Sequence, residues 1–96
     1  MKPALHHILE QFRSGLENIY RSRLAELVLF GSQARNEAWS DSDIDVLVVL
    51  KGPVDPNLEI PRVSPLASGL SLRHDVVISC VYVSEEDFRA GRLREM

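Results

Sequence analysis

The spacing of the apolar residues divides the chain into helical and extended segments. In the first quarter, apolar side chains recur at three- and four-residue steps, which is the spacing of an amphipathic helix. They are Leu5, Ile8, Leu9, Phe12, Leu16, Ile19 and Tyr20. We therefore expect a helix from about Pro3 to Arg23 that serves as scaffold, with the proline suited to its first turn.

Three short apolar runs predict the strands. The first run, Leu24–Phe30, ends at Gly31. The second, Ile44–Leu50, is almost wholly apolar and β-branched, and the third, Val76–Val83, follows Asp75. A continuous apolar run is typical of a strand that is covered on both faces, so we expect the second run to be the central strand.

Two prolines complicate the segment between the second and third strands. Lys51–Asn57 contains glycine and proline and is expected to be a loop. Apolar residues from Leu58 to His74 keep a roughly helical spacing, but each internal proline removes a backbone donor. We expect the helix to begin at about Pro61 or Arg62, with Pro65 in its first turn or at a kink.

The remaining segments complete the predicted fold. Ser32–Ala38 is expected to be a polar turn with room for one helical turn. Ser84, followed three residues later by Asp87, is a helix-start signature and predicts a short helix to about Arg92. The order helix, strand, turn, strand, helix, strand, helix indicates an α/β or α+β fold with a small mixed sheet flanked by helices. We expect one domain over residues 1–96.

Composition narrows the class of protein. The chain is 45% hydrophobic and 26% charged, and its net charge of −3 gives no general attraction to a polyanion, so bulk nucleic-acid binding is not expected. A single cysteine, Cys80, excludes a disulfide framework and a cysteine zinc site and fits a reduced cytoplasmic interior. No apolar run approaches the roughly 20 residues that span a bilayer, so we expect a cytoplasmic protein without membrane contact. His6, His7 and His74 are expected at the surface rather than as metal ligands.

Paired acids at the start of the central strand are the first candidates for chemistry. Asp43 and Asp45 are two residues apart, so in a strand both carboxylates point one way while Ile44 faces the core. Two like charges so close repel one another, and a divalent cation between them relieves that repulsion. In the alternative interpretation, Asp43 and Asp45 are solvated acids that flank the start of the strand and bind no metal. Asp75 stands at the mouth of the neighbouring strand, and three acids on one sheet edge would form an oxygen site suited to Mg²⁺.

A second candidate lies just before these acids. Gly31 and Ser32, at a strand end, offer close backbone approach, exposed N–H donors and a hydroxyl, which together suit a phosphate; the same pair is also common in ordinary turns. Arg35 is able to pair with phosphate oxygens or to form a salt bridge to Glu37 or Asp41. The sequence has neither a P-loop nor a dinucleotide-binding glycine motif.

From residue 31 the chain reads GSQARNEAWSDSDIDVLV, that is Gly-Ser, ten residues, Asp-x-Asp. This resembles the signature of the minimal nucleotidyltransferases, or MNT proteins, of the DNA polymerase beta superfamily. Arg73–Ser79 is similar to the strand that carries the third acid of that family. The resemblance covers most of the chain, from the first helix to about Phe88.

The resemblance implies a fold, an activity and a partner. Asp43 and Asp45 would hold two Mg²⁺ ions, Asp75 would help to bind one of them and activate an acceptor hydroxyl, and Gly31 and Ser32 would grip the triphosphate. The implied reaction is transfer of a nucleoside monophosphate, AMP from ATP, to that hydroxyl. MNT proteins of this size resemble antitoxins that modify a tyrosine of a HEPN-domain toxin. The alternative is a non-catalytic module that neutralises a HEPN partner by complex formation, and a homo-oligomer is a further possible assembly.

Overall fold

The computed structural model describes residues 4–30 and 43–91. Its elements in chain order are helix α1 (Ala4–Tyr20), a 3₁₀ turn (Arg21–Arg23), strand β1 (Leu24–Phe30), strand β2 (Asp43–Leu50), helix α2 (Pro56–His74), strand β3 (Val77–Ser84) and helix α3 (Glu85–Arg89). The three predicted strands are confirmed to within one residue at each end. The predicted fold class, a small mixed sheet flanked by helices, is also confirmed.

The sheet has the order β1-β2-β3, so β2 is central, as its apolar run predicts. β1 pairs with β2 in antiparallel register, and β2 pairs with β3 in parallel register. Parallel neighbours need a crossover connection, which α2 supplies between β2 and β3.

The hydrophobic core lies between one face of the sheet and the first two helices. Alternate side chains of β2 are fully buried against α1 and α2, and the core consists of Ile8, Phe12, Leu16, Tyr20, Ile44, Val46, Val48, Leu50, Val63, Leu70 and Val76. Leu47 and Val49 are also buried, although they point to the opposite face. Both faces of β2 are therefore covered. Each fully buried side chain of this size contributes about 1.5–3 kcal/mol relative to exposure.

Helix α1 ends slightly earlier than its apolar spacing predicts. Arg21 has a left-handed φ of 56°, which stops the helix at Tyr20 and starts the 3₁₀ turn into β1. The Arg23 guanidinium then donates to the carbonyl oxygens of Lys51 and Pro53 at 2.9 and 2.7 Å. These hydrogen bonds hold the loop that precedes α2.

The prediction for the start of α2 is wrong. The helix begins at Pro56, five residues before Pro61, and includes Pro61 and Pro65 in its interior. The Asp55 side chain caps it by accepting from the N–H of Asn57 at 3.0 Å, and proline is well suited to the first helical position. The loss of the backbone donors is offset because the helix buries Val63 and Leu70 in the hydrophobic core.

The last helix has the predicted start and an earlier end. Ser84 Oγ accepts from the N–H of Asp87 at 3.1 Å, which confirms the cap. The helix stops at Arg89 rather than near Arg92, because Ala90 closes the turn and Gly91 follows with a φ of 75°.

One histidine differs from expectation. His74 is partly buried, and its Nε2 lies 2.9 Å from Gln11 Oε1, so it joins the end of α2 to α1. His6 is exposed, as expected, and pairs with Glu10 at 3.1 Å. Within the described residues, neither α1 nor α2 combines the length and the apolar character of a membrane-spanning helix.

A buried carboxylate, which the sequence does not predict, ties α2 to α1. Glu59 is 2% exposed and accepts from the Tyr20 hydroxyl at 2.8 Å. Arg62 lies 3.4 Å from Glu59 Oε1, and Arg23 lies 3.8 Å from Oε2. Its charge is therefore compensated by one neutral donor and two partly exposed arginines.

Candidate functional site

Three segments of the chain come together at one end of the sheet. Phe30, the last residue of β1, pairs with Asp45 of β2. On the other side of β2, Asp45 pairs with Ser79 and Asp43 pairs with Val77 of β3. Because β1 runs antiparallel to β2 and β3 runs parallel to it, the end of β1 and the starts of β2 and β3 are neighbours.

The paired acids occupy the start of the central strand. Asp43 is the first residue of β2, and its side chain is outside the described part of the structure. Positions 43 and 45 lie on the same face of the sheet, opposite to the face on which Ile44 and Val46 join the core. Asp45 is half-buried, and none of the described side chains, which exclude that of Asp43, forms a hydrogen bond or ion pair with its carboxylate.

The third acid precedes the neighbouring strand. Asp75 is exposed and adopts a left-handed conformation with φ 56° and ψ 51°, which aspartate tolerates better than most residues. Its N–H donates to the carbonyl of Ser71, so it closes the C-terminus of α2 two residues before β3 begins. Asp75 is therefore at the same end of the sheet as Asp43 and Asp45 but in the turn, not in the strand.

The predicted phosphate-binding residues, Gly31, Ser32 and Arg35, are outside the described residues. The described part of β1 ends at Phe30, opposite Asp45. The chain thus enters the Gly31-Ser32 segment from a point beside the paired acids.

Residues of β3 next to the acids were not predicted as site residues. Ser79 is exposed and is paired in register with Asp45, and Val77 is 54% exposed and is paired with Asp43. In parallel strands, residues in register point to the same face, so the Ser79 hydroxyl lies on the face of the acids. The signal in the sequence is weak, because a serine within an apolar run acquires meaning only when the register is known.

The donor atoms at this end of the sheet fit a divalent cation of the Mg²⁺ type. Carboxylate and hydroxyl oxygens are the hard ligands that Mg²⁺ prefers, and the Asp45 carboxylate has no cationic partner among the described side chains. The described side chains, which do not include that of Asp43, contain no group of three His, Cys, Asp or Glu positioned to hold a metal ion. Residues 43, 45 and 75 therefore remain a prediction as a complete ligand set.

Comparison with known proteins agrees with this geometry. Residues 9–89 match the sequence model of the nucleotidyltransferase domain. Two proteins of Methanocaldococcus jannaschii, each named a "putative protein adenylyltransferase", are 39% identical over 80 residues and 36% identical over 73 residues. The alignments cover 83% and 75% of this chain and 74% and 72% of those proteins.

A solved structure shows the same fold. It is the crystal structure of a "putative nucleotidyltransferase" from Sulfolobus solfataricus, with a TM-score of 0.60 and 24% identity, covering 94% of this chain and 81% of that one. The family match extends from α1 to the end of α3 and includes every described strand. The chain therefore belongs to the nucleotidyltransferase domain family and is a transferase of that family.

Proposed function

We propose that this protein is a Mg²⁺-dependent adenylyltransferase of the cytoplasm that transfers AMP from ATP to a hydroxyl of another protein. The observation that carries the proposal is the position of Asp43 and Asp45, at alternate residues of the central strand and beside the end of β1 that leads into Gly31-Ser32. The two archaeal relatives, each named a "putative protein adenylyltransferase", support the choice of a protein acceptor.

The reaction is a displacement at phosphorus. The acceptor hydroxyl oxygen attacks the α-phosphorus of ATP and forms a new O–P bond. The bond from the α-phosphorus to the bridging oxygen breaks, and pyrophosphate leaves with its electron pair. We assign the hydroxyl proton to the Asp75 carboxylate, which is exposed at the turn before β3.

The remaining candidate residues bind rather than react. Asp43 and Asp45 would hold two Mg²⁺ ions, and Asp75 would share one of them. When bound, such ions lower the pKa of the attacking hydroxyl and stabilise the departing oxygens. Gly31 and Ser32 would hold the triphosphate, and residue Arg35 would pair with its oxygens.

We propose a HEPN-domain toxin as the acceptor, with this chain as its antitoxin and residues 1–96 as one domain. The resemblance to MNT proteins supports this choice.

Label transfer tests the proposal. The purified protein is incubated with α-labelled ATP, Mg²⁺ and a purified HEPN-domain protein, and label is expected on a tyrosine of that protein. Asp45→Asn should reduce labelling by at least about a hundredfold, since it removes an oxygen ligand of the site. The matched control is Asp55→Asn, which removes the same charge but leaves an equally good helix cap.

Two results would contradict the proposal. A tight complex that forms without labelling would identify the chain as a non-catalytic module that acts by occlusion. Equal labelling by Asp45→Asn and Asp55→Asn would show that transfer does not depend on the paired acids.

A further inference from the structure

Strand β3 is at the edge of the sheet formed by the described strands. Its eight residues, VISCVYVS, include no charged side chain and no proline, and its register with β2 is continuous over all eight pairs. Edge strands in soluble proteins are usually protected from further pairing by charges, prolines or bulges. β3 has none of these devices, so its outer edge is able to accept another strand.

An open groove of about 690 Å³ runs between this edge and α2. Three of its lining residues are large and well exposed: Ile60 and Val77 at about half, and Leu72 at 86%. Among the residues that the structure describes, no Asp, Glu, Lys, Arg or His lines it. Burial raises the pKa of Cys80 to about 11 and that of Tyr82 well above its ordinary value, so both groups are neutral at pH 7.

The groove reaches the acidic end of the sheet. Ser79 belongs to its lining and is also the register partner of Asp45. Leu72 and Val76, which are close to Asp75 in the chain, line it as well. A segment lying along β3 would therefore extend to the end of the sheet at which Asp45 and Asp75 lie.

The charges of the groove and of the whole chain indicate which kind of molecule binds in the groove. A nucleic acid would need lysine or arginine along its path, and the described part of the lining has neither. A second copy of this chain would bring a net charge of −3 against −3 and a second set of site acids to the same edge. A neutral or basic segment of a different protein meets neither obstacle.

We infer that the β3 edge and its groove bind an extended segment of the acceptor protein as an added strand, with its reactive hydroxyl placed at the end of the sheet that carries Asp45 and Asp75. Main-chain hydrogen bonds to β3 would provide affinity, and the groove would take the apolar side chains of the segment. This inference rests on the proposed function, because it names how that reaction selects its substrate.

A matched pair of variants tests the inference. Ile60 lines the groove and is 53% exposed, whereas Leu58, two residues earlier on α2, is 54% exposed and outside the lining. Binding to the HEPN-domain protein of the labelling assay is measured by titration without ATP. Ile60→Arg is expected to raise Kd and the KM for the acceptor about tenfold and to leave the KM for ATP unchanged, while Leu58→Arg stays within about twofold of wild type.

Two further variants and one further measurement extend this test. Leu72→Arg, at the other end of the groove, should weaken acceptor binding in the same way, and Ile60→Gln gives a milder version if the arginine lowers stability. Backbone hydrogen exchange should show alternate amides of Val77–Ser84 slowing about tenfold or more on acceptor binding, which is the pattern of strand addition.

The outcomes separate this inference from the proposed function. Groove-dependent binding without label transfer leaves the docking surface intact and refutes the transferase. Label transfer that is equal in Ile60→Arg and Leu58→Arg refutes the docking surface alone. The inference is also overturned if the acceptor does not bind wild type, if an RNA oligonucleotide is labelled in its place, or if wild type is a dimer that Ile60→Arg dissociates.

Discussion

Replacing Tyr20 with phenylalanine tests what stabilises the carboxylate buried between α1 and α2. Glu59 is 2% exposed, and its nearest partner is the Tyr20 hydroxyl at 2.8 Å. Burial first, and then the hydrogen bond to Glu59, raises the pKa of Tyr20 well above its ordinary value, so the phenol remains a neutral donor. The two arginines are farther away, at 3.4 Å for Arg62 and 3.8 Å for Arg23.

The geometry gives the size of the effect. Phenylalanine preserves the ring, which is 5% exposed, and removes only the hydroxyl. A hydrogen bond to a charged group contributes about 1.5–3 kcal/mol, so we expect Tyr20→Phe to lower the free energy of unfolding by about 2 kcal/mol. Arg62 is 50% exposed, so Arg62→Gln should cost only about 0.5 kcal/mol.

Thermal and urea unfolding followed by circular dichroism measure both changes. For a chain of this length, about 2 kcal/mol corresponds to a fall in Tm of roughly 8–16 °C. The Arg62→Gln effect should shrink further in high salt, whereas the Tyr20→Phe effect should persist. Glu59→Gln combined with Tyr20→Phe should cost less than the sum of the single changes, because the two residues share one interaction.

A Tyr20→Phe protein within about 0.5 kcal/mol of wild type would refute the reasoning. The arginines would then be the main compensation of the Glu59 charge, and Arg62→Gln would be the more damaging variant. The distances of 3.4 and 3.8 Å would in that case understate their contribution.

Three other predictions concern packing, the thiol and the metal. Gly15→Ala should destabilise the protein by about 1–3 kcal/mol in thermal unfolding, because the added Cβ would lie 2.5 Å from Leu66 Cδ1. Gly69→Ala, whose added Cβ would have nothing within 4 Å, should stabilise the protein by up to about 1 kcal/mol. The reverse order of the two variants would contradict the packing. Burial raises the pKa of Cys80 from 9.0 to about 11, so at pH 8 the thiol should react with iodoacetamide about a hundredfold more slowly in the native protein than in urea, and equal rates would exclude the shift. The stability that depends on a protonated Cys80 should be complete below pH 9 and should be lost as the pH rises towards 11. Mg²⁺ at ten times its Kd should add about 1.4 kcal/mol and raise Tm by several degrees, and Asp45→Asn should reduce that rise; an unchanged Tm would count against the metal site.

The sequence predicts the elements whose signals are local. β2 is recognisable because a continuous apolar, β-branched run of this length is typical of a buried strand, and the structure buries it on both faces. The start of α3 is predictable because Ser84 and Asp87 form a cap within four residues. These predictions are accurate because each depends on neighbours in the chain rather than on distant contacts.

The features that the sequence does not predict depend on residues far apart in the chain. Pro61 and Pro65 argue against a helix locally, and the opposing contribution comes from packing of Val63 and Leu70 into a core formed by other elements. Glu59 has the composition of a surface residue, yet its principal donor is 39 positions away. No window of the sequence contains that information.

The candidate site has the same division between local and distant information. Spacing alone places Asp43 and Asp45 on one face of a strand, but their relation to Ser79 follows only from the parallel register of β2 and β3. Ligand sites of open parallel sheets usually lie at the carboxyl ends of the strands. Here Asp43 and Asp45 lie at the amino end of β2, and Asp75 lies just before the amino end of β3. The antiparallel β1 resolves the difference, because its carboxyl end, at Phe30, arrives at that same edge. One antiparallel strand pair and one crossover helix thus bring the end of β1, the paired acids at the start of β2 and the turn that carries Asp75 to a single end of the sheet, so the topology supplies a proximity that no spacing along the chain predicts.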